Sequence, residues 1–300
     1  MLEIFIWVLI GFFLAHISYN TLPIFFLRTF ILSLLGRTEF FDRQEFILNM
    51  KIPSTWANLG LWSPESSYPE AARNLALRLG EQCALKKGSR ILDIGFGNGD
   101  QLQLWRQTFH ASTVDAYNVS HSQTDYAQRT NIDENISIHR GSYQSLESSP
   151  QYDAIIALDC AYHFPSRREF FMFAKKHMAE QGQIALVDLS FRWSACNFWQ
   201  GLLLKLIASA SSIPHQNLWS KESYGEALNS SGFSEIQWTD ISDQVFQPFE
   251  KFCHKHFEEL AEFINPHLIY KYRLTSKFLS YFYKIGAIEM AIITANSEPK

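Results

Sequence analysis

The residue types best suited to chemistry crowd into one stretch. Asp93 is followed at every second position by Gly95, Gly97 and Gly99, and Asp100 comes next. Glycines at the end of a strand let the backbone turn tightly and let a ligand come close. A helix starting behind them offers free N–H groups and the positive end of its dipole. Two ligand classes compete for such a loop. A dinucleotide asks for glycine at 95, 97 and 100, but position 100 is Asp100, whose carboxylate would repel a pyrophosphate. S-adenosylmethionine (SAM) has no phosphate and carries an ammonium and a sulfonium. A carboxylate at the strand end, Asp93, suits that cation far better.

Other reactive side chains give weaker signals. Cys83, Cys160, Cys196 and Cys253 form no CxxC pair, which excludes a zinc ribbon, and scattered thiols fit a reducing compartment. Cys253 and His256 would share a helix face, yet no third or fourth ligand is in range, so no metal is expected. Glycosylation at Asn118 would block the glycine loop, so this part of the chain is expected to avoid a lumen.

The elements that must position these residues alternate. Strands are predicted at 91–94, 112–119, 136–139, 152–159, 183–189, near 236–241 and at 287–295. Helices are predicted at 69–85, 101–109, 121–128, 166–179, 221–230, 249–264 and 274–283. This order predicts an α/β chain with a doubly wound parallel sheet, helices on both faces and the glycine loop at the carboxyl edge. Residues 191–219 break the alternation, are rich in aromatic and aliphatic side chains, and suit a lid. An extra core helix is the competing reading. Together with 246–284 they are expected to cap a substrate.

Ile91-Leu-Asp-Ile-Gly-Phe-Gly-Asn-Gly-Asp100 resembles motif I of the class I SAM-dependent methyltransferases, and the element order is similar to their seven-stranded, Rossmann-like sheet. The likeness covers roughly residues 55–295. It leans to the tocopherol and sterol methyltransferase-like branch of small-molecule enzymes. Asn58-Leu-Gly-Leu-Trp62 looks like its N-x-G-x-W element, Asn118-Val-Ser-His-Ser-Gln123 like its N-x-S-x-x-Q element, and Asp159-Cys-Ala-Tyr-His-Phe164 like its segment after the fourth strand. The resemblance implies that Gly95, Gly97 and Gly99 lie under the SAM amino-acid moiety and that Asp93 helps hold its ammonium. It implies Asn118 at the ribose, Ser142 and Tyr143 at the adenine, and Leu59, Gly60, Gln123 and Asp159 completing the shell. An oxygen nucleophile gains from a general base. Tyr162, His163 and Asp188 are the candidate catalytic residues, with a His–Asp pair as one form. A strand-capping structural histidine is the other reading of His163.

The 300 residues carry 26 basic and 30 acidic side chains, a net charge of −4, without a basic run. A nucleic-acid partner is not expected. Aromatic residues reach 15%, which hints at lipid or a large apolar ligand. Residues 4–15 are apolar throughout, and Glu3 and Arg28 are the only formal charges between Leu2 and Leu35. At ~1.5 Å per residue a helix over 4–27 would cross a bilayer core. Pro23 and the polar 16–21 patch suit a monotopic hairpin instead. Residues 1–36 are therefore expected to anchor a 37–300 catalytic domain on the cytosolic face of a membrane, the endoplasmic reticulum by default. The expected activity is methyl transfer to a small or lipidic acceptor. A catalytically silent membrane scaffold and a nucleotide-dependent oxidoreductase are the alternatives.

Overall fold

The computed structural model describes residues 47–146, 151–263 and 266–298. The expected anchor, 1–36, lies outside the described residues. Among those described, no helix is long and apolar enough to cross a membrane.

The first half alternates as α1 (Tyr68–Gln82), β1 (Arg90–Ile94), α2 (Asp100–Gln107), β2 (Thr113–Asn118), α3 (His121–Thr130), β3 (Ile136–Arg140) and β4 (Tyr152–Leu158). It continues as α4 (Arg167–His177), β5 (Met178–Phe191), α5 (Phe198–Ala210), α6 (Lys221–Ser230), β6 (Phe233–Asp240), α7 (Ser242–Leu260), α8 (Pro266–Lys284) and β7 (Ile288–Ser297). The seven strands form one sheet in the order β3-β2-β1-β4-β5-β7-β6. The chain winds outward from β1 in one direction and from β4 in the other. The carboxyl ends of these neighbours therefore form the switch point where open α/β sheets bind ligands.

The sheet is not wholly parallel. β7 runs antiparallel to both β5 and β6. The connection before it is a helical hairpin. A single crossover helix returns the chain to the opposite edge and starts a parallel strand. α7 and α8 pack on each other as a pair and bring the chain back to the edge it left.

Successive strand residues fall into two apolar layers, one on each face. Ile91, Ile156 and Val187 join Leu75, Trp105 and Phe246 on one side. Leu92, Ile155 and Leu186 join Phe170, Phe171 and Tyr224 on the other. Each such side chain gains about 1.5–3 kcal/mol from burial. α7 starts at Ser242, ahead of the expected 249, and carries Pro248 inside it. Proline has no N–H for the carbonyl four residues back. That carbonyl, Gln244 O, accepts from Trp62 N instead, at 2.9 Å. The exchange pins the 58–62 loop to α7.

Candidate functional site

The glycine loop joins β1 to α2. Gly95 has φ +81°, and a Cβ there would lie 2.6 Å from Cys160 Sγ, so only glycine fits. Gly99 is the N-cap of α2. Asp100, the first helical residue, accepts from Thr55 Oγ1 at 2.5 Å, and Asn98 Nδ2 donates to Thr55 O at 2.8 Å. The N-x-S-x-x-Q element is a local knot. Asn118 Nδ2 donates to Gly97 O (3.1 Å) and Gln123 Oε1 (2.7 Å), while its Oδ1 accepts from Ser120 N (3.1 Å). The Ser120 hydroxyl caps α3 by accepting from Gln123 N. One asparagine therefore fixes both the end of β2 and the glycine loop.

The N-x-G-x-W element forms the facing loop. Asn58 Oδ1 accepts from Gly60 N at 2.9 Å, and Trp62 Nε1 donates to Leu59 O at 2.9 Å. This turn presents Leu59 N to Asp159 Oδ2 at 2.8 Å. Asp159 follows β4 with φ +58°, a conformation that costs a non-glycine residue energy and that clusters at functional sites. Its other oxygen accepts from Tyr162 Oη at 2.9 Å. Burial pushes the Asp159 carboxyl up to about 7, against the pull of its Leu59 and Tyr162 hydrogen bonds. Burial likewise pushes the Tyr162 phenol well above its ordinary value.

These loops surround a cavity of about 340 Å³ at the switch point, within the usual range for ligand pockets. Leu59, Gly95, Gly97, Asn118, Gln123, Ser142, Tyr143 and Asp159 line one part. Tyr162, His163, Ile213, Tyr272, Thr275 and Leu279 line the other. The structure thus brings together most of the residues singled out from sequence. The Tyr143 hydroxyl is buried with no hydrogen-bond partner, among the rings of Phe164, Phe170 and Phe173. Ser142 spends its hydroxyl on Gln144 N, 3.3 Å away, at the start of a short 3-10 turn.

Four expected site residues lie elsewhere. Asp93 is fully buried behind the loop and takes no part in the cavity wall. It accepts from Trp105 Nε1 at 2.6 Å and from Gln101 Nε2 at 2.9 and 3.0 Å. Burial pushes it up to about 6, against those hydrogen bonds. Its contact is with α2, which it ties to β1. Gly99 belongs to the helix cap, and Gly60 packs on Ala71 of α1. Asp188 is also fully buried. Its Oδ1 accepts from Arg167 Nη2 (2.7 Å) and Leu189 N (2.8 Å), and its Oδ2 from Tyr224 Oη (2.8 Å). The expected His163–Asp188 pair is therefore not formed, because the carboxylate oxygens are taken by Arg167, Leu189 N and Tyr224. His163 lines the cavity with Nδ1 3.3 Å from Ser212 O. Asn217 supports this loop by donating to Tyr162 O and Phe164 O and accepting from Arg167 N.

Sequence reading missed several wall residues. Tyr272, Thr275 and Leu279 recur at spacings of three and four, a helical signal present in the expected 246–284 cap. Asp100 was weighed only against a pyrophosphate, and it lines the cavity. Cys253 and His256 are buried, with His256 Nε2 2.9 Å from Ile47 O.

The residues present fit SAM. Gly97 leaves open space at the cavity wall, where a Cβ would meet only Ala57 at 3.6 Å, and Asp159 offers a carboxylate to a cation there. Fold and site together define a class I SAM-dependent methyltransferase. Residues 66–237 match the family model described as "Methyltransferase domain", more than half of the chain, and the protein belongs to that family.

Among curated proteins, it is 27% identical over 204 residues to erythromycin 3''-O-methyltransferase of Saccharopolyspora erythraea, covering 65% of this chain and 67% of that one. It is 28% identical over 135 residues to 27-O-demethylrifamycin SV methyltransferase of Amycolatopsis mediterranei, covering 43% and 49%. A cyclopropane synthase of Mycobacterium tuberculosis shares the fold with a TM-score of 0.71 at 17% identity, over 86% of this chain and 95% of that one. The protein is thus a SAM-dependent methyltransferase, and SAM is its cofactor. Its family is not that of nucleotide-dependent oxidoreductases.

Proposed function

We propose that the protein transfers a methyl group from SAM to a hydroxyl of a largely apolar acceptor, at a membrane surface to which residues 1–36 anchor it. The observation that carries this reading is the second part of the cavity. Ile213, Tyr272 and Leu279 give it an apolar wall, and His163 and Tyr162 supply its polar groups. The placement of the N-x-G-x-W and N-x-S-x-x-Q elements around the same cavity supports the tocopherol and sterol methyltransferase-like branch. The names of the curated relatives support an oxygen nucleophile.

When bound, SAM supplies an electrophilic methyl group on a sulfonium. The glycine loop and Asn118 are suited to its amino-acid and ribose parts, Tyr143 to its adenine, and Asp159 to a cation. His163 is the candidate base. Its imidazole lines the cavity with Nδ1 3.3 Å from Ser212 O, and it is the group proposed to take up the acceptor's proton. The acceptor oxygen then bonds to the methyl carbon as the carbon–sulfur bond breaks, and the hydroxyl proton passes to His163. The products are a methyl ether and S-adenosylhomocysteine. Alignment supplies most of the rate and the base a further ~10²–10⁴-fold.

Calorimetric titration with SAM, S-adenosylhomocysteine and NADH tests the cofactor site. The first two should bind and NADH should not. Incubating the enzyme with methyl-labelled SAM and lipid extract then tests the acceptor. Label should enter the organic phase with wild type and fall at least tenfold with His163→Ala. Label confined to water-soluble products would overturn the apolar acceptor.

A further inference from the structure

α5 carries two apolar faces. Leu204 and Ala208 are buried against the body of the protein. On the opposite side Phe198, Trp199, Leu202, Leu203 and Leu206 form a continuous exposed stripe, with Phe198 and Trp199 more than 70% exposed. Spacings of three and four put these five on one helix face. A face of this kind needs a nonaqueous neighbour. We infer that the exposed face of α5 lies in the headgroup and upper acyl region of an anionic phospholipid bilayer, placing the cap of the active site against the lipid.

Four observations favour lipid over other occupants. The first is length. Thirteen residues at ~1.5 Å each make about 20 Å, too short to span and right for lying in the interface. The second is residue type. Trp199 and Phe198 are side chains favoured at the water–lipid boundary. The third is charge. Segment 191–219 has Arg192 and Lys205 and no acidic residue, so it carries +2 while the rest of the chain carries −4 − 2 = −6. An anionic surface is attracted to a basic segment of an acidic protein. The fourth is continuity. Ser211 and Ile213, directly after α5, line the cavity, so an acceptor dissolved in lipid would meet the cap first. A second copy is disfavoured by area. A face of about 20 by about 10 Å falls far short of the ~800 Å² per partner of a stable interface.

This inference rests on the apolar-acceptor reading only for its purpose; its test is separate. The full-length protein is bound to phosphatidylcholine–phosphatidylserine vesicles whose acyl chains are brominated either near the headgroup or near the chain end. Wild type and Trp199→Phe are compared, so that the difference reports Trp199 alone. Quenching by the shallow bromines should exceed that by the deep ones, and this shallow component should disappear in Trp199→Phe. It should also weaken when phosphatidylserine is omitted. An unchanged quenching profile in Trp199→Phe overturns the inference. So does protection of Trp199 from acrylamide in the absence of vesicles, which would mean that a second copy or the chain's own N-terminal segment covers α5. SAM titration on the same samples keeps the two readings apart: intact SAM binding without quenching removes only the docking surface.

Discussion

Asp159 lines the cavity with its carboxylate held by Leu59 N and the Tyr162 hydroxyl. A buried carboxyl raised to about 7 is neutral through most of the acidic range, yet a cation beside it favours the charged form. Below about 7, binding a cation there must first remove a proton, so affinity for SAM should weaken by up to about tenfold per pH unit as pH falls. Asp159→Asn should lower affinity at pH 8 by roughly tenfold and flatten the pH profile, as read by calorimetry. A profile that stays steep in the variant would free Asp159 of that role. Stability has the opposite dependence. The raised folded value means that protonation stabilises the fold below the unfolded value of about 4, and that this contribution is lost as pH rises through 7. Part of this site was legible in the sequence. Gly95, Gly97 and Asn118 are contiguous with their strands, and local turn chemistry identifies them. Asp93 and Asp188 were not, since the central strands of a sheet covered on both faces are buried at nearly every position near their carboxyl ends. Alternation then cannot tell which carboxylate turns to the ligand and which to Trp105 or Arg167.

At the scale of elements, Asp188 is a junction. It joins β5 to α4 through Arg167 and to α6 through Tyr224. Arg167 is itself fully buried, over the rings of Trp219 and Tyr224. Removing one member of a buried pair leaves the other charge unpaired, at a cost of about 3–5 kcal/mol. Asp188→Asn should therefore lower the urea midpoint sharply while the folded fraction still binds SAM. An unchanged midpoint with lost turnover would return Asp188 to the chemistry. Asn217 is the corresponding junction for the loop after β4. Asn217→Ala deletes its bonds to Tyr162 O, Phe164 O and Arg167 N, about 1–3 kcal/mol of buried hydrogen bonding. It should lower kcat more than it changes SAM affinity, by loosening His163; equal losses in both would contradict that. Most helices and strands were readable from periodicity within a few residues, while β5 and α8 begin at Met178 and Pro266, well ahead of the expected 183 and 274. The early start of α7 was hidden because Pro248 reads as a helix boundary, and only the distant Trp62 N–H relieves it. The direction of β7 was hidden too, because periodicity carries no sense of direction.

For the whole molecule, the expected anchor and the catalytic domain should separate. Deleting residues 1–36 should move most of the protein from the membrane pellet to the supernatant and leave SAM binding intact. Protein that remains in the pellet would assign the attachment to other parts of the chain, α5 first among them. The position of β7 has a consequence for how the protein is made. β6 pairs only with β7, and β7 fills the slot between β6 and β5. During synthesis the ribosome releases every other strand before the one that closes the sheet. Until residue 297 has emerged, β5 has an open edge and β6 has no partner, and open edges invite pairing with other chains. A frameshift within the codons for β7 would thus leave the glycine loop and cavity walls intact in sequence, yet deny the nascent chain its finished sheet.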